Sequence, residues 1–335
     1  MDGAGYIEDS PEKNERKTIS CICSLFAVAL ILSFVMGIAV QLFIIHILKS
    51  NGSIIEWDLF SGFISCSEPD KMLIIIVSGI FSFLAPIIML MLILKLPFSI
   101  AAPKSNISKV TFIYTFPLMI VFFVMSFYCY SFSNNLFELI GFNIPSSTFF
   151  IPEDTRLLPS SILYYLIILP VITEFLFSGI ILQSLRQFGD EFAIIVTSIF
   201  SAIFIHNFFY SGYTFILSII ISFIAIRTGS LFSAIFSRFI FVATSFFIIS
   251  MQKTFSPEDF KIVLSWTLFL MILWGFLILK LLSDKHKSIL NLRKHTSYCS
   301  IGKKYVYVFS SIAVLSFCVV SFVIQLFMLE FTKLV

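Results

Sequence analysis

Glu174 sits in the middle of the run Thr173-Glu174-Phe175-Leu176-Phe177-Ser178-Gly179, in surroundings that otherwise read as a membrane-spanning helix. A carboxylate in hydrocarbon costs about 2.5 to 3.5 kcal/mol on insertion scales, so it persists where it is protonated, paired or used. Two further ionisable side chains, His206 and Arg238, fall inside apolar runs of the same region. A carboxylate and an imidazole are the groups that move protons in hydrolysis, and a guanidinium is a fixed cation. At 1.5 Å per residue Glu174 lies roughly 18 Å from the helix end near Arg186, His206 roughly 22 Å from Glu191, and Arg238 roughly 12 Å from Ser230. These depths allow all three to share one layer.

The elements that must position them are membrane helices. The 335 residues are 59% hydrophobic and 12% charged, with 43 Phe, against about 25% charged in soluble domains. Apolar runs long enough for about 30 Å of hydrocarbon occur at roughly 20–48, 72–96, 110–133, 161–186, 191–210, 213–227, 230–250, 262–282 and 305–329. The sequence therefore predicts an all-α polytopic membrane helix bundle of about nine transmembrane helices. The sixth run is the weakest, because about 15 residues span only with thinning of the bilayer. Pro86, Pro117 and Pro170 lie inside runs, where they kink helices without ending them. The first run is far longer than the 7 to 15 residue apolar stretch of a cleaved signal, so it reads as a retained anchor.

With the N-terminus cytoplasmic, fifteen Lys and Arg fall on the inner side and six on the outer, Arg238 being left within the membrane. That bias orients the chain N-in, and an odd number of spans puts the C-terminus outside, in a multi-pass protein of the cell membrane. The net charge of +3 needs no further cause, and no basic patch for nucleic acid is present. The basic cluster between the last two runs reads as a topogenic loop able to meet anionic headgroups. Cys21, Cys23, Cys66, Cys129, Cys299 and Cys318 show neither zinc-finger nor thioredoxin spacing. No H-E-x-x-H, P-loop or G-x-S-x-G pattern occurs.

Three stretches carry a family resemblance. The run from Thr173 to Gly179 continues Ile180-Ile181-Leu182-Gln183-Ser184-Leu185, then Phe188-Gly189 and a helix ending in His206; the turn Arg227-Thr228-Gly229-Ser230-Leu231-Phe232 follows. Over about residues 161 to 250 this resembles the core of the CPBP intramembrane metalloproteases, the prenyl-CAAX endopeptidase and bacteriocin-processing relatives. Their motifs read E-E-x-x-x-R-G, F-x-x-x-H and H-x-x-x-N, the last following a turn of the type R-T-G-S-L-W. The resemblance implies a core of helices 4 to 7, a glutamate acting as general base on a water, histidines and an asparagine holding water or a metal (zinc), and stabilisation of an oxyanion.

In the register that keeps Gly179 and Leu185, this chain departs from most of those positions. The base position is Thr173, the second glutamate is Glu174, and the arginine is Ser178. His206 retains the second-motif histidine, with Ala202 at its phenylalanine position; the third motif falls on Arg238 and Val242. Only Glu174 and His206 remain of the six polar positions, an incomplete ligand set. Losing the in-helix arginine at 178 while gaining one at 238 predicts an ion pair between Glu174 and Arg238, with snorkelling of Arg238 toward the cytoplasm as the alternative.

The chain so read divides into a cytoplasmic tail at 1–17, the first three spans and their loops at 18–160, the CPBP-like core at 161–250 and the last two spans at 251–335. The expected function is a catalytically silent relative that binds or sequesters a peptide or prenylated ligand in the lipid bilayer, in an immunity-like or regulatory role. The alternatives are an active CAAX-type endopeptidase with a rearranged Glu174/His206 site, and a transporter-like protein, which the scarcity of intramembrane charge disfavours. The charge bias yields a direct test. In intact cells, a cysteine introduced beside Lys104 should resist a membrane-impermeant thiol reagent, and one beside Lys253 should be labelled.

Overall fold

In lipid a chain must close its own backbone hydrogen bonds, and this one does so almost wholly with helices. The computed structural model describes residues 10–57, 64–104, 152–205, 208–285 and 298–334, with single positions at 119, 132, 136, 139 and 292. In chain order the helices are α1 (Pro11–Ser50), α2 (Glu68–Ile93), the short α3 (Phe98–Ala101), α4 (Leu158–Phe188), α5 (Asp190–Phe204), α6 (Phe208–Thr228), α7 (Leu231–Thr254), α8 (Pro257–Lys285), α9 (Ile301–Phe309) and α10 (Ile312–Leu334). Between α1 and α2, β1 (Glu56–Trp57) and β2 (Ile64–Ser65) pair antiparallel, Glu56 opposite Ser65 and Trp57 opposite Ile64. The all-α expectation thus holds but for this two-residue ladder.

The count of nine spans is not confirmed. Among the described residues six helices are long and apolar enough to cross a membrane, or seven if the bent pair α9–α10 is one span. The run 191–210 yields α5, only 15 residues long, about 22 Å against about 30 Å of hydrocarbon. The last residues of that run, from Phe208, belong to α6. The run that looked weakest gains residues at its start and becomes the 21-residue α6. The last run is bent by 67° between Phe309 and Ile312. The expected third span and Pro117 lie outside the described residues, as does most of the connection 134–160.

α4 is the axis of the bundle. It is buried on every side from Leu176 to Leu182, and α2, α3, α5, α6 and α7 all pack on it. A helix apolar all round is one surrounded by protein. It widens into π-helical turns at Leu163–Ile168 and Phe175–Ile181, on either side of an α-helical piece that contains Pro170 and ends at Glu174. Pro170 has no N–H to donate, and wider turns are one way to re-satisfy the carbonyls it leaves free. Single-turn π segments also concentrate at functional sites.

Small hydroxyl residues tie neighbouring helices, as expected where lipid supplies no hydrophobic drive. Ser33 on α1 donates to the Ser82 carbonyl on α2 at 2.6 Å, Ser218 on α6 to Ser201 on α5 at 2.8 Å, and Ser24 on α1 pairs with Ser311 at 2.6 Å. At the end of the bundle that holds the start of α1, Lys304 is 3% exposed and donates to the Phe188 carbonyl at 2.5 Å, with Glu15 at 3.7 Å. Glu15 in turn accepts the backbone N–H groups of Tyr298 and Cys299. The start of α1, the end of α4 and the segment before α9 are thereby joined.

Gly179 faces the backbone of α3 so closely that a Cβ would lie 2.5 Å from the Ala101 carbonyl oxygen. Backbone cannot swing aside, and overpacking of this kind costs about 1 to 3 kcal/mol. Gly179→Ala should therefore lower the unfolding midpoint in detergent. Gly212→Ala, whose Cβ meets nothing within 4 Å, should leave it unchanged or raise it.

Candidate functional site

The site is built on α4 and α7. Glu174 ends the α-helical piece after Pro170 and is 1% exposed. Arg238 lies seven residues into α7, which the turn Thr228-Gly229-Ser230 starts. Gly229 takes φ +63°, the left-handed conformation that glycine adopts without strain, and its N–H donates to the Ala225 carbonyl at 2.9 Å. Thr228 and Ser233 pair through their hydroxyls, and the Leu231 N–H donates to the Pro103 carbonyl, which pins the turn to the segment after α3.

This geometry brings Arg238 onto Glu174. The guanidinium Nε donates to Oε1 at 2.7 Å, and the Arg238 side chain is 16% exposed. Ser178, one turn beyond Glu174, donates its hydroxyl to Oε2 at 2.5 Å. Losing the in-helix arginine at 178 therefore does not leave Glu174 without a partner on its own helix. At i+4 a serine reaches the carboxylate as the family's arginine would, with a donor but no charge, so the cation comes from α7 instead.

Thr173 points elsewhere: its hydroxyl returns to the Leu169 carbonyl at 2.7 Å and is spent on its own helix. Val242, one turn beyond Arg238, is buried and adds no polar group. His206 lies outside the described residues. The structure therefore joins Glu174, Ser178 and Arg238, and leaves Thr173 and Val242 out of the polar cluster. Sequence reasoning missed Tyr213, whose ring packs on Phe241 of α7 with centroids 5.0 Å apart. One tyrosine in a chain so rich in aromatics carries no local signal.

Zinc, which the resemblance implies for the family, does not fit these residues. Both oxygens of Glu174 are engaged, a guanidinium stands at a histidine position and cannot coordinate a cation, and among the described residues no three of His, Cys, Asp and Glu converge.

Residues 155–244 match the family described as Type II CAAX prenyl endopeptidase Rce1-like. That stretch runs from just before α4 into α7 and holds every residue of the cluster, so in this multi-pass membrane protein the likeness to CPBP-type endopeptidases falls on the helices that build the site. No curated protein and no solved structure matches the chain.

Breaking a buried ion pair by removing one partner costs about 3 to 5 kcal/mol, whereas removing both is often near neutral. Glu174→Gln and Arg238→Met should each destabilise the protein by about that amount in detergent unfolding, and the double variant should recover much of the loss. Ser178→Ala should cost less, about 1 to 3 kcal/mol, the penalty for one lost donor to a buried acceptor.

Proposed function

We propose that the chain is a CPBP-type membrane protein that no longer hydrolyses peptide bonds and instead binds or sequesters a peptide or lipidated ligand, in a bacteriocin-immunity-like or regulatory role. The observation that carries this reading is the ion pair between Glu174 and Arg238 at 2.7 Å. A general base needs a carboxylate free to take a proton from a water positioned beside the substrate carbonyl. In the family register the base position holds Thr173, which has no carboxylate, and the only acid beside it accepts hydrogen bonds from Arg238 and Ser178.

The oxyanion side is changed in the same sense. At the third-motif positions the imidazole and carboxamide of the family are replaced by a guanidinium already engaged with Glu174 and by the apolar Val242. Removing one oxyanion donor costs about 100-fold or more in rate, so loss of these groups together with the base leaves little chemistry. What survives is the buried helix frame, which suits recognition within the membrane. In this reading the N-terminus faces the cytoplasm, and the role in immunity is an analogy with family members rather than a consequence of the site.

Purified protein in detergent or liposomes should give no turnover of a CAAX-type or leader-peptide substrate. The combined replacement Thr173→Glu, Ser178→Arg, Arg238→His and Val242→Asn restores the motif and is the change expected to recover activity. Turnover by the natural sequence that is lost in Glu174→Gln would overturn the proposal and favour the rearranged Glu174/His206 endopeptidase.

A further inference from the structure

The chain enters its last span through a bent pair, α9 and α10, set at 67° to each other. The 23 residues of α10 reach roughly 34 Å, enough to cross the hydrocarbon without help from α9. Spans are tilted about 20° from the membrane normal on average, so a bend of 67° leaves α9 closer to the membrane plane than to its normal. Neighbouring side chains set its level. Lys303 pairs with Glu12 at 2.7 Å, and the Arg16 guanidinium stands 5.2 Å over the Tyr307 ring, so α9 lies beside the charged turns that open α1. Just past α9, Ser311 bonds Ser24 at 2.6 Å. Ser24 is roughly 10 Å further along α1 than Lys17, the last cation of those turns.

α9 has two unlike faces. Lys304 and Val308, one turn apart, are buried against the protein, and Lys304 is fixed to the Phe188 carbonyl at the end of α4. Gly302, Val306 and Phe309 fall at i, i+4 and i+7, along one stripe of the helix. All three are exposed, Val306 by 63%. Directly after them come Ile312, Leu315 and Val319, exposed on the membrane-spanning α10. Cations rim the stripe: Lys303 and Arg16 are both exposed. The opening turns of α1 and α9 together carry Lys13, Arg16, Lys17, Lys303 and Lys304 against Glu12 and Glu15, so the rim is positive.

We infer that α9 is an interfacial helix: its Gly302, Val306 and Phe309 face lies in the headgroup and acyl boundary of the leaflet on the side where α1 begins, and Arg16 and Lys303 meet anionic headgroups at its rim. A helix too short to span, with an apolar face and cations beside it, is the form that lies in the membrane plane, its face about 5 to 10 Å deep. The Ser24–Ser311 contact sets α9 at that depth. Two observations select lipid as the occupant of this face. It is continuous with the apolar surface of α10, which a membrane-spanning helix turns to lipid, and its rim is complementary in charge to an anionic leaflet. Each cation near such a surface is worth about 1 kcal/mol, or about fivefold in preference for anionic lipid. The inference does not depend on whether Glu174 is catalytically silent.

The test places Val306→Trp in the full-length protein, with Trp57, Trp266 and Trp274 replaced by Phe, in liposomes of phosphatidylcholine and phosphatidylglycerol. Either lipid carries bromine as a quencher, near the headgroup end of its acyl chain or near the methyl end. The introduced tryptophan should be quenched, and more strongly by the shallow bromine than by the deep one. At equal mole fraction brominated phosphatidylglycerol should quench as if enriched about fivefold or more over brominated phosphatidylcholine, and added salt should shrink that preference. Arg16→Gln with Lys303→Gln should remove most of the preference and leave quenching by phosphatidylcholine in place. If Val306→Trp fails to fold, Phe309→Trp exchanges one exposed aromatic for another and gives the same readouts. Absence of quenching by both lipids overturns the inference. Acrylamide then reaching the tryptophan puts the face in water, and acrylamide failing to reach it puts the face under protein, a second copy included. Stronger quenching by the deep bromine also overturns it, by placing α9 within the span, and equal quenching by the two headgroups overturns the anionic contact.

Discussion

The structure depends on how one carboxylate is kept inside a membrane. Glu174 is buried where water cannot solvate it, and it is held from two directions: by Arg238 of α7, which neutralises it, and by Ser178 of its own helix, which satisfies the second oxygen. Neither partner suffices alone. A serine brings no charge, and a lone ion pair leaves acceptor capacity unmet in a medium where each unmet group is costly. With both in place the group is compatible with lipid, and α4 and α7 are fastened together at that level.

The surrounding frame is consistent with this constraint. α4 is widened into π turns on both sides of the Pro170 segment, and its second wide turn lies directly after Glu174. Gly179 lets the α3 backbone close over the same stretch. The Thr228-Gly229-Ser230 turn, tied to Pro103, sets where α7 begins and hence where Arg238 falls. Elsewhere the helices are joined by paired serines and, where α1, the end of α4 and the segment before α9 meet, by Lys304 and Glu15.

A hydrolytic centre and a structural ion pair can be built from the same positions, and the difference rests on few side chains. A carboxylate and an imidazole facing a water make proton transfer available. A carboxylate facing a guanidinium makes a cross-link, because the guanidinium neither accepts a proton nor leaves its partner free. Within the stretch 155–244 that matches the family, the positions corresponding to its polar motifs hold Thr173, Ser178, Arg238 and Val242.

Much of this was legible in the residues. Composition and run length determine a helical membrane protein, the cost of a charge in lipid singles out Glu174, and the order of motifs around Gly179, His206 and Gly229 points to the CPBP core. These signals are local, or depend on spacing along one helix. The partners of Glu174 are of two kinds: Ser178 lies at i+4 on the same helix, where motif comparison registers a lost arginine although a hydroxyl still reaches the carboxylate. Arg238 is 64 residues away, and the sequence leaves it between pairing and snorkelling until helix crossing sets its distance. The short α5, the bend between α9 and α10 and the burial of Lys304 are decided only by the tertiary structure. Hydropathy averages over a window and does not register where within an apolar run a helix ends or bends, which packing against neighbouring helices decides.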